Sequence, residues 1–184
     1  MNRIIKKVAV LGSGVMGSRI ACHFANIGVQ TILLDIVDPK LENASTKDIN
    51  SRNKLVNDSL TMAVKQNPSP IYAQNVLKLI TTGNFEDDLN KIKDCDWIIE
   101  VVIENLEIKQ TLFEKVDNIR KPGTLITSNT SGIPIHLMIQ GRSEDFQKHF
   151  CGTHFFNPPR YLKLLEIIPS PETDPAVVDF LMDY

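Results

Sequence analysis

The sequence predicts an α/β domain: a doubly wound, mostly parallel sheet with a helical insertion after its second strand. Three observations support that expectation. A short apolar run passes through a glycine-rich turn into a helical pattern and a second apolar run, the outline of a βαβ unit about 30 residues long. Strand-like and helix-like segments keep alternating afterwards. Polar clusters fall at the ends of the predicted strands, where an open α/β sheet places its ligands.

Residues 7–11 (KVAVL) are apolar enough for a strand covered on both faces. Residues 18–27 follow as a helix, with Ile20, Phe24 and Ile27 at spacings of four and three on one face. Gly28 stands where a helix ends. Residues 31–34 form the second strand, ending at Asp35. From 36 to 70 the chain turns polar, with Asn43, Asn50, Asn53 and Asn57, while Val56, Leu60 and Ala63/Val64 keep a helical spacing. That spacing predicts a solvent-exposed helical insertion, single or folded back as a hairpin, over the competing disordered linker. Asn67-Pro68-Ser69-Pro70 breaks the pattern.

Alternation resumes with a weak strand at 79–82, a short helix at 85–93, a strong strand at 97–103 (WIIEVVI) and a helix at 106–118. Lys121-Pro122-Gly123 turns the chain into a strand at 124–127, followed by a short helix at 134–139. Two further strands are expected at 149–156 and 163–168. Asp174-Pro175 starts the last helix, an N-cap residue followed by proline at the first helical position. Val177, Val178 and Leu181 share a face of it, and it reaches Tyr184 without a cap, which suggests a truncated chain.

At 184 residues the chain suits one domain, or one domain with the start of a second. Hydrophobic residues at 42% supply a core and argue against disorder. With 20 basic against 22 acidic residues, it has no electrostatic footprint for nucleic acid or an anionic membrane. Cys22, Cys95 and Cys151 are far apart and form no CxxC pair, so they read as buried free thiols in a reducing compartment and not as a metal site. Met1 runs directly into a strand, leaving no room for a signal peptide, and no window approaches the ~18 apolar residues of a membrane span. A cytoplasmic home is expected; a removed organelle presequence would leave no trace.

Gly12-x-Gly14-x-x-Gly17 is a weak signal alone and a strong one in this context. It lies between a strand and a helix, and Asp35 ends the next strand. Gly12 permits the tight turn, Gly14 lets backbone approach a pyrophosphate, and Gly17 lets the helix pack on the strand. Val15 and Met16 belong to the same turn, and the helix N-terminus that follows offers free N–H groups and a positive dipole end to the phosphates. Asp35 suits the ribose hydroxyls and repels a 2′-phosphate, so NAD is favoured over NADP. FAD remains open on the same fingerprint. A Rossmann-like dinucleotide-binding domain is the expected class.

Ser128-Asn129-Thr130-Ser131 follows the strand at 124–127, and His154 falls near the end of another. Glu166, twelve residues on, sits in the otherwise apolar run 162–168, where a carboxylate is costly to bury without a partner. A histidine on a neighbouring strand would be one. In alcohol oxidation a hydride leaves carbon while a base takes the hydroxyl proton, a task matched to histidine. Ser131 and Asn157 could hydrogen-bond the reacting oxygen. Spacing alone leaves the bland readings open: a core histidine, a water-facing glutamate on an edge strand, a serine that caps the helix near Pro134.

Together these motifs resemble the 3-hydroxyacyl-CoA dehydrogenase family. The matching pieces are VLGSGVMG (10–17), EVVIENLEIK (100–109), SNTS (128–131), GTHFFNP (152–158) and KLLEII (163–168), in family order over nearly the whole chain. The resemblance implies that His154 is the base, with Glu166 its partner, and that Ser131 contacts the substrate oxygen beside Asn157. It implies that Glu104 and Lys109 line the nicotinamide end of an NAD site, with Asn129 among the cofactor residues. It also implies an acyl-CoA substrate, oxidation of (S)-3-hydroxyacyl-CoA to 3-oxoacyl-CoA in β-oxidation, and a CoA-binding role for the 36–70 insertion.

Two departures stand out. The family continues into a helical domain that completes the acyl-CoA pocket and the dimer contact, so a fragment lacking it is expected to turn over poorly. Gly132-Ile133-Pro134 and Asn157-Pro158-Pro159-Arg160-Tyr161 resemble the long multifunctional proteins fused to an enoyl-CoA hydratase. A β-hydroxyacid dehydrogenase would use a catalytic lysine, against which the His154/Glu166 pairing speaks. A sugar-acid dehydrogenase of the same superfamily would share that pairing, and a non-catalytic NAD-binding domain would have no need of it.

Overall fold

Successive residues of a strand point to opposite faces, and here both faces are apolar, so the sheet must be covered on both sides. The computed structural model describes residues 3–41 and 47–184. Seven strands are present among them: β1 (Lys7–Leu11), β2 (Gln30–Asp35), β3 (Ile80–Asn84), β4 (Trp97–Glu100), β5 (Leu125–Ser128), β6 (Phe150–Phe155) and β7 (Leu165–Pro169). They form one sheet in the order β3-β2-β1-β4-β5-β6-β7. Every pairing is parallel except β6 with β7. The helices are α1 (Val15–Asn26), α2 (Ile49–Arg52), α3 (Lys54–Val64), α4 (Leu106–Ile119), α5 (Ile135–Met138), α6 (Glu144–Lys148) and α7 (Pro175–Asp183).

Val8, Val10, Leu33, Trp97, Ile99 and Leu125 face α1, α3 and α7, meeting Ile20, Phe24, Val56, Val177 and Leu181. Ala9, Leu11, Ile32, Ile98, Ile126 and Phe150 face the other way, against Leu112, Phe113 and Val116 of α4 and Phe146 of α6. A doubly wound Rossmann-like sheet results, as the sequence predicts. Gly28 ends the first helical segment at φ +84°. Cys22, Cys95 and Cys151 are free and buried, and burial pushes their thiols up to about 11, 12 and 12. Among the described residues no helix is long and apolar enough to cross a membrane.

Several boundaries differ from expectation. The helix expected at 18–27 begins at Val15, because the fingerprint's last residues are already helical. The strand expected at 97–103 ends at Glu100, whose own carboxylate accepts the Val102 N–H at 2.7 Å and diverts the chain from the ladder. The segment 85–93 is not an α-helix: the Asn84 side chain accepts from the Glu86 and Asp87 N–H groups, and a 3-10 turn covers Leu89–Asp94. The insertion is no hairpin within the described residues; α2 and α3 follow each other across Asn53. Nor is α3 wholly solvent-exposed, since Val56 and Ala63 are buried beside α1 and β2. Asn43 lies outside the described residues. Helix α6 was not predicted, although Ser143 caps it by accepting from the Phe146 N–H.

Candidate functional site

From the neighbouring strands β1 and β4 the chain proceeds to opposite edges of the sheet, so their carboxyl ends flank its switch point. Gly12 follows β1 at φ +107°, and a Cβ there would stand 2.6 Å from the Val101 carbonyl oxygen. A Cβ on Gly17 would lie 1.8 Å from the Gly12 carbonyl oxygen. These two glycines close the turn on itself. Gly14 is different: its Cβ would meet nothing within 4 Å. As the N-cap residue of α1 it also offers no side-chain acceptor to the first-turn N–H groups, which include those of Val15 and Met16. Open space over an uncapped helix start fits a pyrophosphate. A cleft of about 670 Å³ adjoins it, lined among others by Gly12, Gly14, Asp35, Val101, Val102 and Ile108. Asp35 faces this cleft and binds the turn, accepting from the Ser13 N–H at 2.6 Å and the Ser13 hydroxyl at 2.5 Å.

Beyond β4 lies a cluster of charges. Glu100 is fully buried and accepts from Lys109 Nζ at 2.7 Å and from the Ser128 hydroxyl at 2.5 Å. Burial raises its pKa, and the Lys109 charge opposes that rise. Lys109, only 1% exposed, also reaches the Val102 carbonyl at 3.3 Å and Glu104 at 3.3 Å. Removing one member of such a buried pair costs about 3–5 kcal/mol, because the other is left uncompensated. Glu104 in turn accepts from the Thr130 hydroxyl, the Ser131 N–H at 3.1 Å and the Gly132 N–H at 3.0 Å. Partial burial pushes the Glu104 carboxyl up, but these bonds and the Lys109 charge together hold it down at about 2.

A pH dependence follows from that depression. Stability contributed by ionised Glu104 is complete above its ordinary value of 4.5 and is lost as the pH falls towards 2. Glu104→Gln is therefore expected to lower Tm most above pH 4.5, the gap to wild type narrowing as acid is added. A gap constant with pH would contradict this assignment.

The histidine and the second glutamate meet. His154 and Glu166 are register partners across β6 and β7, with Nδ1 2.8 Å from Oε2. The pair is not dry: the His154 side chain is 23% exposed and that of Glu166 51%. Burial cost is thus not what pairs them; the antiparallel register is. Glu166 does lie on an edge strand, yet it faces the histidine. The His154 ring also rests against Phe156, centroids 4.6 Å apart.

Asn129 ties this end of β6 to the loop after β5 by accepting from the Phe155 N–H at 2.8 Å. Ser131 is exposed, and no side chain caps α5, so a capping role for Ser131 is not realised. Asn157 is exposed and accepts from Arg19. Lys109 is enclosed, with its ammonium among Glu100, the Val102 carbonyl and Glu104. Sequence reasoning missed Glu100, Ser13 and Arg19. Glu100 carried a signal, a carboxylate inside a strand apolar on both faces, which demands a partner.

The fold and this crevice define a dinucleotide-binding domain of the doubly wound class. The family described as "3-hydroxyacyl-CoA dehydrogenase, NAD binding domain" matches residues 7–184. The chain belongs to that family, whose cofactor is NAD. It is 52% identical over 187 residues to a probable 3-hydroxyacyl-CoA dehydrogenase of Bacillus subtilis, covering 98% of this chain and 24% of that protein. It is 43% identical over 168 residues to a putative fatty acid oxidation complex trifunctional enzyme of Rickettsia felis, covering 91% of this chain and 22% of that protein. Among solved structures, 3-hydroxybutyryl-CoA dehydrogenase of Escherichia coli K12 superimposes with a TM-score of 0.74 at 30% identity, covering 98% of this chain and 36% of that one. The chain therefore spans a minor part of each of these proteins.

Proposed function

We propose that the protein containing this chain oxidises (S)-3-hydroxyacyl-CoA to 3-oxoacyl-CoA as a step of fatty-acid β-oxidation. The observation that carries this reading is the His154–Glu166 pair at the carboxyl end of β6, bonded through Asn129 to the polar loop after β5. With Nδ1 donating to Glu166, Nε2 is left as the base that takes the substrate's hydroxyl proton. Glu166 holds that tautomer and stabilises the imidazolium that forms. Ser131 and Asn157 orient the hydroxyl oxygen. NAD, when bound, supplies the hydride acceptor. Gly14 and the start of α1 would hold its pyrophosphate, over the turn that Gly12 and Gly17 close, Asp35 would hold its adenosine ribose, and Glu104 would face its nicotinamide end. Proton removal by a positioned base contributes about 10²–10⁴-fold in such reactions.

A helical domain, supplied elsewhere in the full-length protein, would complete the acyl-CoA pocket and the subunit contact. Exposure of Leu162, Leu164 and Met182 on the β7 and α7 side supports a covering element there. NAD reduction with 3-hydroxyacyl-CoA, assayed for full-length protein beside the 184-residue chain, tests the reading. Turnover is expected for the former and little for the latter; absence of turnover in both, across several acyl lengths, would reject it.

A further inference from the structure

We propose that Arg160 is a positioning residue for the site: it clasps the loop after β6 to the segment leaving the helical insertion, and through that loop steadies Phe156 against the His154 ring. This rests on the reading that His154 is the base. Two tracts distant in the sequence meet here, the break at 67–70 and the NPPRY run at 157–161. The Arg160 guanidinium donates from Nη1 to the Ser69 carbonyl at 2.6 Å and to the Ile71 carbonyl at 2.8 Å. It also lies 4.0 Å from the Tyr72 ring centroid and 5.0 Å from that of Tyr161. A planar guanidinium stacks on a ring and donates in its own plane at once, which the rounder ammonium of a lysine does less well.

Both sides of the clasp are anchored. On one, the Asn26 side chain of α1 donates to the Pro70 carbonyl at 2.8 Å and accepts from the Tyr72 N–H at 2.9 Å, which fixes 69–72 to that helix. With the two Arg160 bonds, three successive carbonyls outside any helix or strand are satisfied by side chains. On the other, the Tyr161 and Leu162 N–H groups donate to the Pro158 carbonyl at 2.9 and 3.0 Å, closing a turn with Arg160 inside it. The Tyr161 hydroxyl adds a bond to the Ser69 carbonyl at 3.1 Å. Between this turn and the end of β6 stand only Phe156 and Asn157. That span is held at one end by the sheet and at the other by Arg160. Phe156 in it sets the plane of the His154 imidazole, and Arg19 of α1 ties Asn157 to Gln66 as a second link between the same segments.

The test separates turnover from folding. On the full-length protein and its Arg160→Met, Arg160→Lys, Tyr72→Leu and Arg160→Met/Tyr72→Leu variants, kcat and KM for 3-hydroxyacyl-CoA are measured with NADH-binding stoichiometry and Tm. Arg160→Met keeps an apolar stem and removes the guanidinium. Because the Arg19 link remains, kcat per NADH-binding site is expected to fall about tenfold, less than the ~10²-fold that a misplacement of about 1 Å can cost. KM and the stoichiometry should hold. Arg160→Lys should recover part of the loss, since its ammonium still donates to a carbonyl. Tyr72→Leu, at a residue that does not line the cofactor cleft, should lower kcat about threefold. The double variant should match Arg160→Met, since Tyr72 acts through the guanidinium.

Unchanged kcat per site in Arg160→Met would overturn the proposal. So would a loss that appears only as fewer NADH-binding sites, the mark of a residue that merely holds the fold. Should Arg160→Met fail to fold, Tyr72→Leu carries the comparison, and unchanged kcat there rejects the clasp. His154→Ala distinguishes the two failures. If it leaves turnover undiminished, the site reading falls and this inference with it. If it loses turnover while Arg160→Met does not, only the inference falls.

Discussion

His154→Ala in the full-length protein is expected to lower kcat for 3-hydroxyacyl-CoA oxidation by about 10³-fold while leaving NADH affinity unchanged. The imidazole stands on β6 at the sheet's carboxyl edge, and its Nδ1 is taken by Glu166. Only Nε2 is left for the substrate proton, and alanine leaves water as the base. Glu166→Gln keeps the shape of the pair and removes the charge that steadies an imidazolium, so a smaller loss, about 10²-fold, is expected. Steady-state kinetics with both variants reads the order directly. Undiminished turnover by His154→Ala would remove the proposed mechanism, and a larger loss for Glu166→Gln would reverse the roles.

The second large effect concerns Gly17. Its missing Cβ would overlap the Gly12 carbonyl oxygen at 1.8 Å, and backbone cannot swing aside as a flexible side chain can. Gly17→Ala is expected to cost about 3 kcal/mol, the upper end of ordinary overpacking, and so to lower Tm by about 8 °C. Gly14→Ala makes the control. Gly14 has φ −56°, which any residue adopts, and open space above it. Its stability should barely change, while its NADH binding weakens because the methyl occupies the pyrophosphate's approach. Thermal melts and NADH titrations of both variants check this; equal melting temperatures would show that the helix and turn separate freely.

Much of this architecture is legible in the sequence. The βαβ start, the last helix at Asp174-Pro175 and the alternation between them follow from periodicity and caps, which are local properties of a few adjacent residues. Candidate residues were legible for a related reason. His154, Glu166 and the SNTS loop fall at strand ends, and the carboxyl edge of the sheet collects them. Errors arose where a side chain overruled a pattern. Glu100 ended an apolar strand early by turning its carboxylate onto Val102, and Asn84 diverted a helical spacing into a turn.

By itself, the sequence determined the doubly wound sheet, the glycine turn at Gly12–Gly17, the acid at Asp35 and the identity of the histidine–glutamate pair. Tertiary structure alone decided which groups touch. It set His154 opposite Glu166 through an antiparallel register, left that pair partly open to water, and enclosed Lys109 between Glu100 and Glu104. The physical reason is range. Helix and strand preferences act over a few neighbouring residues, whereas register and the partner of a buried charge are fixed only when distant segments pack together.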